Sequence, residues 1–223
     1  MGIEDCTNCK NWPNFPKYVS GTTSGLLGNT VMICGGFNDD VFDIYLYSLA
    51  NECYSFTAQK ATLITYMSVE RMDAASIVLN DNTLWVTGGR NSGGLLASTE
   101  YVTMTGTMLG PDMPMGLSGH AMVAINSTCS MVIGGYSNYG YALTYFYDHN
   151  EGEWNTGPSL MQGRFWHAAG IVTDEVTDEH FVAVTGGSNA FDSSGALEST
   201  EILQDGEWVL GKINETIYLE NLK

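Results

Sequence analysis

Charged and imidazole side chains at corresponding places along the chain are the residues that could do chemistry. They are Arg71, Asp73, Glu100, His120, Arg164, His167 and Glu201. Carboxylates and imidazoles transfer protons in enzymes, and imidazoles also bind metal ions. A single catalytic centre, however, does not need the same residue types in each repeat of a chain. Their recurrence therefore predicts a structural role, in which these side chains satisfy buried backbone groups.

Other patterns that could support catalysis or metal binding are incomplete. The segment TDEVTDE lacks the alternating spacing and the central glycine of a calcium loop, so we expect a solvated hairpin tip. Its carboxylates are Asp174, Glu175, Asp178 and Glu179. Cys6 and Cys9 form a CxxC pair without two further zinc ligands nearby and without the helical setting of a redox motif, which favours disulfide bonding. The sequence predicts no catalytic residue, no metal site and no cofactor.

The elements that carry these residues come from a fourfold repeat. Four apolar runs, VMICGG, LWVTGG, SMVIGG and VAVTGG, end in a glycine pair, and the second glycines are 53, 46 and 52 residues apart. The pairs are Gly35 and Gly36, Gly88 and Gly89, Gly134 and Gly135, and Gly186 and Gly187. STE occurs twice, GEW ends in Trp154 and Trp208, and we align Asp73 of DAASIV with His120 and His167. Such a period predicts a repeat architecture.

Each repeat reads as a small sheet. Its short runs are rich in β-branched and aromatic residues and are bounded by Gly, Asn and Asp, which is typical of strands and tight turns. A four-stranded sheet cannot bury both of its faces alone, and radial stacking of such sheets solves the problem in a β-propeller. The glycine pairs suit crowded strand ends, and the tryptophans supply apolar area between sheets.

These residues resemble the Kelch repeat family, whose hallmarks include the glycine pair, the tryptophan and the R-x-x-H motif from Arg164 to His167. The resemblance covers about residues 17–212 and implies an all-β, Kelch-type β-propeller of four-stranded antiparallel blades. We expect an N-terminal arm at 1–16 and a propeller at 17–223, with blades at about 17–58, 67–112, 113–159 and 160–212. Kelch rings commonly hold more blades, so we expect an incomplete ring that lacks about two and can self-associate through its open edges.

Composition limits the partners and the compartment. With 8 Lys and Arg against 25 Asp and Glu, the net charge of −17 excludes nucleic-acid binding, which draws its affinity from basic side chains. No apolar run is long enough to insert into a membrane. The first residues, MGIEDCTNCK, lack the apolar region of a signal peptide, so we expect either an intracellular protein or one whose first segment has been removed.

Cysteines and glycosylation motifs favour an extracellular protein, with the cytoplasm as the alternative. Cys34 and Cys53 are expected on neighbouring strands and could form a disulfide, or else pack as buried thiols. Cys129 has no obvious partner. Sequons begin at Asn126 and Asn214, both in predicted turns. The run VMICGG with a later Cys-Tyr is also similar to the repeats of secreted animal Kelch-domain proteins.

The sequence predicts a non-enzymatic Kelch propeller that presents its loops to a protein or glycan ligand. The residues that could carry the contacts follow the glycine pairs, although ordinary turn chemistry explains them equally well. They are Phe37, Asn38, Arg90, Asn91, Tyr136, Tyr139, Asn189 and Phe191. Two alternatives remain open, because fold alone does not decide function. One is a sugar-active enzyme of the mutarotase or galactose-oxidase kind, and the other is a fragment of an intracellular adaptor.

Overall fold

A computed structural model describes residues 13–38, 48–137, 141–174, 177–191 and 193–211. Within these ranges the chain consists of β-strands, with one short 3-10 helix at Ser193–Gly195. In chain order the strands are β1 (Thr23–Leu27), β2 (Thr30–Cys34), β3 (Phe37–Asn38), β4 (Ser48–Leu49), β5 (Glu52–Phe56), β6 (Ala61–Tyr66), β7 (Ala75–Leu79), β8 (Thr83–Thr87), β9 (Arg90–Asn91), β10 (Gly94–Leu95), β11 (Thr99–Thr103), β12 (Gly106–Leu109), β13 (Ala121–Ala124), β14 (Cys129–Ile133), β15 (Thr144–Asp148), β16 (Glu153–Thr156), β17 (Ala168–Thr173), β18 (His180–Thr185), β19 (Thr200–Gln204) and β20 (Glu207–Leu210).

The strands form four four-stranded antiparallel sheets, which are the blades of a β-propeller. From the innermost strand outward, the sheets are β1-β2-β5-β6, β7-β8-β11-β12, β13-β14-β15-β16 and β17-β18-β19-β20. The innermost strands β1, β7, β13 and β17 adjoin one another in that order, so consecutive blades pack face to face. Two-stranded ribbons, β3 with β4 and β9 with β10, belong to the first two units. The predicted all-β propeller fold is confirmed.

Apolar side chains fill the spaces between consecutive blades. On β8, Leu84 and Val86 pack with Met32 of the first blade, whereas Trp85 packs with Tyr147 of the third blade. Successive side chains of a strand point to opposite faces, so a strand between two blades needs apolar residues at every position. This requirement explains the unbroken apolar runs that precede the glycine pairs.

The tryptophans of the two GEW segments also lie between blades. Trp208 is 5% exposed and packs in the cluster between the third and fourth blades, where its Nε1 donates to the Pro158 carbonyl at 3.0 Å. Trp154 lies with its ring centre 5.6 Å from that of Trp85. Both therefore supply the apolar contact area that the repeat predicts.

Each of the first three glycine pairs lets its blade approach the loop that leads into the next blade. Gly134 and Gly135 have φ of 59° and 91°, which residues with a Cβ rarely adopt. A Cβ on Gly134 would lie 2.6 Å from the Arg164 carbonyl oxygen. The N–H of Gly135 donates to that same oxygen at 2.8 Å. The third blade and the start of the fourth unit are thus joined through backbone that has no room for side chains.

Four residues just before the innermost strands connect the blades by backbone hydrogen bonds, and we call them the axial residues. They are Gly21, Asp73, Gly119 and Trp166, with φ of 65°, 54°, 63° and 55°. The N–H of Asp73 donates to Gly21 O at 2.9 Å, that of Gly119 to Asp73 O at 2.8 Å, and that of Trp166 to Gly119 O at 2.7 Å. This chain of bonds links the four units at one end of the propeller.

Strand register corrects one detail of the sequence alignment. Ala75 and Ala168 each pair with the residue that precedes the glycine pair of their blade. Counting back from these alanines, His167 corresponds to an alanine in the second unit, and Asp73 corresponds to Trp166. The alignment of Asp73 with the two histidines was therefore wrong by one residue, because similar small and apolar residues follow both positions.

The first and fourth blades each have one apolar face that no other described blade covers. Leu26 is 58% exposed and Leu63 is 40% exposed on the first blade, and Val209 is 38% exposed on the fourth. Phe15, from the predicted N-terminal arm, packs on the first face with its ring centre 5.2 Å from that of Tyr54. Residues 1–12 lie outside the described part of the chain, and self-association through these faces stays a prediction. No helix in the described residues has the length and apolarity to cross a membrane.

Candidate functional site

Two Arg–Glu pairs among the residues that could do chemistry form buried hydrogen-bond networks with a structural role. The Arg71 guanidinium donates to the Gly88 and Ser98 carbonyls at 2.7 and 2.9 Å and to Glu100 Oε1 at 2.9 Å. Glu100 also accepts the N–H of Ser68 at 2.6 Å. Both side chains are fully buried, and burial lowers the pKa of Arg71 against the opposing effect of Glu100.

Arg164 and Glu201 repeat this network in the fourth blade. Arg164 donates to the Gly186 and Ser199 carbonyls, each at 2.9 Å, and to Glu201 Oε1 at 2.7 Å. Glu201 accepts the N–H of Met161 at 2.7 Å. These groups satisfy the loop that enters the blade and have no surface left for a ligand. The structure thus supports the backbone-satisfying role expected from recurrence.

His120 and His167 lie between blades. His120 is 6% exposed with its Nε2 2.9 Å from Thr87 Oγ1, and no ring nitrogen of His167 makes a hydrogen bond of good geometry. Burial, aided by His167, lowers the pKa of His120 to about 3. Burial and then Arg164 lower the pKa of His167 to about 4, against an opposing effect of the Ile133 carbonyl. Both rings are therefore neutral near neutral pH.

An open cleft of about 530 Å³ lies where the β9–β10 ribbon meets the third unit. Its walls comprise Arg90, Asn91, Gly93, Gly94, Leu95, Met115, Gly116, Tyr136 and Ser137. Three of these, Arg90, Asn91 and Tyr136, are among the loop residues that the sequence singles out. Sequence reasoning missed Met115 and Gly116, because they precede an innermost strand instead of following a glycine pair.

An ion pair connects this cleft to the axial residues. Arg90 Nε donates to Asp73 Oδ2 at 3.1 Å, with side-chain exposures of 45% for Arg90 and 15% for Asp73. The backbones of Arg90 and Met72 exchange hydrogen bonds of 2.9 and 3.0 Å, so the ribbon is fixed beside Asp73. An ion pair that is partly open to solvent stabilises a fold by about 1 kcal/mol or less. The ion pair also fixes the orientation of the Asp73 carboxylate and the Arg90 guanidinium next to the cleft.

Aromatic rings continue the cleft toward the fourth unit. Tyr136, on the cleft wall, has its ring centre 5.1 Å from that of Phe191, which in turn lies 6.1 Å from the Trp166 ring. Phe191 is 64% exposed and Trp166 is 55% exposed. The sequence singled out Phe191 but missed Trp166, which lies before its innermost strand. Polar and aromatic groups thus share one end of the propeller.

The remaining predicted loop residues lie elsewhere. Phe37 and Asn38 form β3 in the first unit, paired with β4, and are not part of the cleft wall. The N–H of Asn189 donates to the Gly195 carbonyl at 2.9 Å, which places it in the turn beside the 3-10 helix. Tyr139 lies outside the described residues. The cleft therefore includes only part of the predicted set.

The predicted disulfide joins adjacent strands. Cys34 on β2 lies directly opposite Cys53 on β5, and the two are bonded with their Cα atoms 4.2 Å apart. Cys129 is free and half-buried. Cys6 and Cys9 lie outside the described residues.

The two sequons and the acidic hairpin were also predicted as surface features. Asn126 is exposed in the β13–β14 turn, and its Oδ1 accepts hydrogen bonds from the N–H and the hydroxyl of Thr128, each at 2.9 Å. Asn214 and Glu175 lie outside the described residues. Asp174 Oδ1 accepts the N–H of Thr177 at 3.1 Å within the hairpin. In the described ranges no group of three or more His, Cys, Asp or Glu side chains could hold a metal ion.

The stacked blades and the repeated Arg–Glu networks define a β-propeller, whose fold is similar to that of a Kelch-like propeller. Among solved structures, the chain is similar to YjhT, with a TM-score of 0.73 and 14% sequence identity over 90% of this chain and 73% of that one. Comparison with family models and with curated proteins found no match. YjhT is a sialic acid mutarotase. This finding corrects the expectation that the chain is not an enzyme, because a protein with the same fold acts on a sugar.

Proposed function

We propose that this propeller binds a sugar in the cleft beside Arg90 and acts on it as an enzyme that opens and closes the sugar ring. The observation that carries the proposal is the cleft itself, whose walls include Arg90 and the half-buried Tyr136. Asp73 holds the Arg90 side chain, and the exposed ring of Phe191 contacts Tyr136. Polar groups in a fixed orientation beside apolar surface are typical of small-molecule sites. The likeness in fold to YjhT, a mutarotase, supports the same reaction class.

The proposed chemistry uses the ion pair. Ring opening requires that the anomeric hydroxyl loses a proton while the ring oxygen gains one, which is general acid–base catalysis. The Asp73 carboxylate accepts the proton of the anomeric hydroxyl as the carbonyl group forms and the bond from the anomeric carbon to the ring oxygen breaks, and the protonated Asp73 then returns that proton to the ring oxygen. Arg90, which stays protonated, donates hydrogen bonds to the oxygen on which negative charge develops. The 3.1 Å contact between them keeps the two groups aligned for a sugar in the cleft.

Exchange between the α and β anomers tests this function directly. NMR exchange measurements on glucose, galactose, N-acetylglucosamine and sialic acid should show faster exchange of at least one sugar when the protein is added. Asp73→Asn should slow that exchange by about 10²–10⁴-fold, the usual contribution of a general base. Asp205→Asn, an exposed acidic residue in the β19–β20 turn, is the matched control and should leave the rate unchanged. Unchanged exchange of all four sugars with the wild-type protein would refute the proposal.

We further propose that the protein acts outside the cell on a glycan. Oxidising compartments maintain disulfides such as Cys34–Cys53, whereas the cytosol reduces them. Asn126 is exposed in a turn, where a glycan can be accommodated. Mass spectrometry of protein from its native source should find the disulfide intact and a glycan on Asn126. Free thiols at Cys34 and Cys53 together with an unmodified Asn126 would contradict an extracellular location.

A further inference from the structure

Trp166 adopts a backbone conformation that its side chain disfavours. Its φ is +55°, in the left-handed region that bulky residues rarely enter. The equivalent axial positions in the first and third units are Gly21 and Gly119, which adopt that region without strain. A position that requires positive φ therefore carries a tryptophan in the fourth unit. A bulky residue held in such a conformation suggests a functional role, because strained backbone clusters at active sites and ligand-binding sites.

The strained backbone of Trp166 places its indole ring against the backbone of Gly119. A Cβ on Gly119 would lie 2.7 Å from Trp166 Cδ1 and 2.9 Å from its Nε1, so the ring lies against backbone that only glycine leaves accessible. Phe165 packs against the same ring with a centre-to-centre distance of 4.8 Å. Trp166 is nevertheless 55% exposed. Core packing alone does not account for a large aromatic side chain that is held in place from behind and open to solvent in front.

The exposed indole is continuous with the cleft. The Phe191 ring lies between them, 6.1 Å from Trp166 and 5.1 Å from Tyr136 on the cleft wall. The cleft contains the polar groups that fix the orientation of a sugar, whereas Trp166 and Phe191 present aromatic surface. Aromatic faces contribute apolar contact at little cost in side-chain entropy, and the face of a sugar ring carries C–H groups that can pack on them.

We propose that Trp166 and Phe191 form a second sugar subsite, so that the protein takes an oligosaccharide with its reducing-end unit in the cleft and the next unit stacked on Trp166. This inference rests on the proposed function and adds the substrate class. It predicts that a disaccharide binds more tightly than its monosaccharide. It also predicts that the difference in affinity disappears when the indole is removed.

The experiment compares two substitutions of Trp166. Both Trp166→Gly and Trp166→Ala remove the indole, but glycine relieves the positive-φ strain while alanine retains it. Titration calorimetry measures the affinity of each variant for N-acetylglucosamine and chitobiose, and for glucose, cellobiose and maltose. In the wild-type protein at least one disaccharide should bind about tenfold more tightly than its monosaccharide, which corresponds to about 1.4 kcal/mol. Both variants should lose this tenfold advantage and retain the monosaccharide affinity.

Thermal unfolding separates this role from a structural one. Trp166→Gly should unfold at a temperature equal to or above that of Trp166→Ala, and within a few degrees of the wild type. Tyr66→Ala, which removes a comparably exposed ring on β6, is the control and should leave both affinities unchanged. Equal wild-type affinity for disaccharides and monosaccharides, or full disaccharide binding by Trp166→Gly, would overturn the subsite and leave the proposed function standing. No binding of any of these sugars by the wild type would overturn the subsite, and together with unchanged anomer exchange of all four monosaccharides it would overturn the proposed function as well.

Discussion

His120, which is buried, and His167, which is half-buried between blades, should make the protein less stable as the pH falls from 7.5 to 5.0. The folded protein lowers the pKa of His120 to about 3 and that of His167 to about 4 from the ordinary value of 6.5. Below pH 6.5 the unfolded chain therefore binds two protons that the folded protein does not. Stability then decreases as the pH falls, because the state that binds more protons is favoured by acid.

The magnitude follows from the pH interval. A pH of 5.0 lies about 1.5 units below the pKa of each histidine in the unfolded chain and above its pKa in the folded protein. Each pH unit in this interval corresponds to about 1.4 kcal/mol per histidine. Each histidine should therefore lower the free energy of unfolding by about 2 kcal/mol, and the pair by about 4 kcal/mol. Below pH 4 the loss should level off, since His167 then begins to bind a proton in the folded state as well.

Urea denaturation at pH 7.5 and 5.0 measures this loss. The control is the double variant His120→Ala and His167→Ala, chosen because an alanine occupies the equivalent place in the second unit. Other titrating groups, including the carboxylates that give the chain its net charge of −17, are common to both proteins and cancel in the comparison. The wild type should lose about 4 kcal/mol more than the double variant. An equal loss in the two proteins would refute the conclusion that the folded protein lowers the pKa values of His120 and His167.

Three further predictions concern the frame of the propeller. Arg164→Met should lower the free energy of unfolding by about 3–5 kcal/mol in urea denaturation, because it leaves a buried carboxylate without its partner; a loss below about 1 kcal/mol would contradict this. Cys34→Ala with Cys53→Ala should cost about 3 kcal/mol for a separation of 19 residues, and unfolding unaffected by a reductant would argue against the disulfide. Gly134→Ala should destabilise more than Gly206→Ala, since both have positive φ but only the first Cβ meets backbone; equal thermal unfolding temperatures would contradict the close approach.

Much of the frame could be predicted from the sequence, because it depends on local patterns that recur. Glycine pairs after apolar runs indicated strand ends with positive φ, and Gly134 and Gly135 have that conformation. Recurrence of Arg and Glu indicated a structural role, and Arg164 and Glu201 are buried in one network. The expected neighbourhood of Cys34 and Cys53 left a disulfide and two buried thiols as alternatives, and the structure joins the two cysteines by a disulfide. Each of these inferences concerns residues within one blade or at its junction with the next.

Predictions from the sequence were wrong where the correspondence of residues between repeats depended on a shift of one position. They also failed where a site depended on contacts between loops. Asp73 was aligned with His167, and only strand register showed that it corresponds to Trp166. The expectation of a non-enzymatic module rested on the lack of a recognisable catalytic motif. Sites on a propeller are assembled from separate loops, so they leave no contiguous motif in the chain.

The sequence by itself determined the strands, the repeat and the stacking of blades, since hydrophobic periodicity and turn residues act over a few residues. Only the tertiary structure decided which polar and aromatic groups meet at one end of the propeller. Asp73 and Arg90 are 17 residues apart and form an ion pair, and Tyr136 meets Phe191 from another unit. The radial arrangement of the blades brings such residues together, because it places the loops of successive units side by side at the same end of the fold.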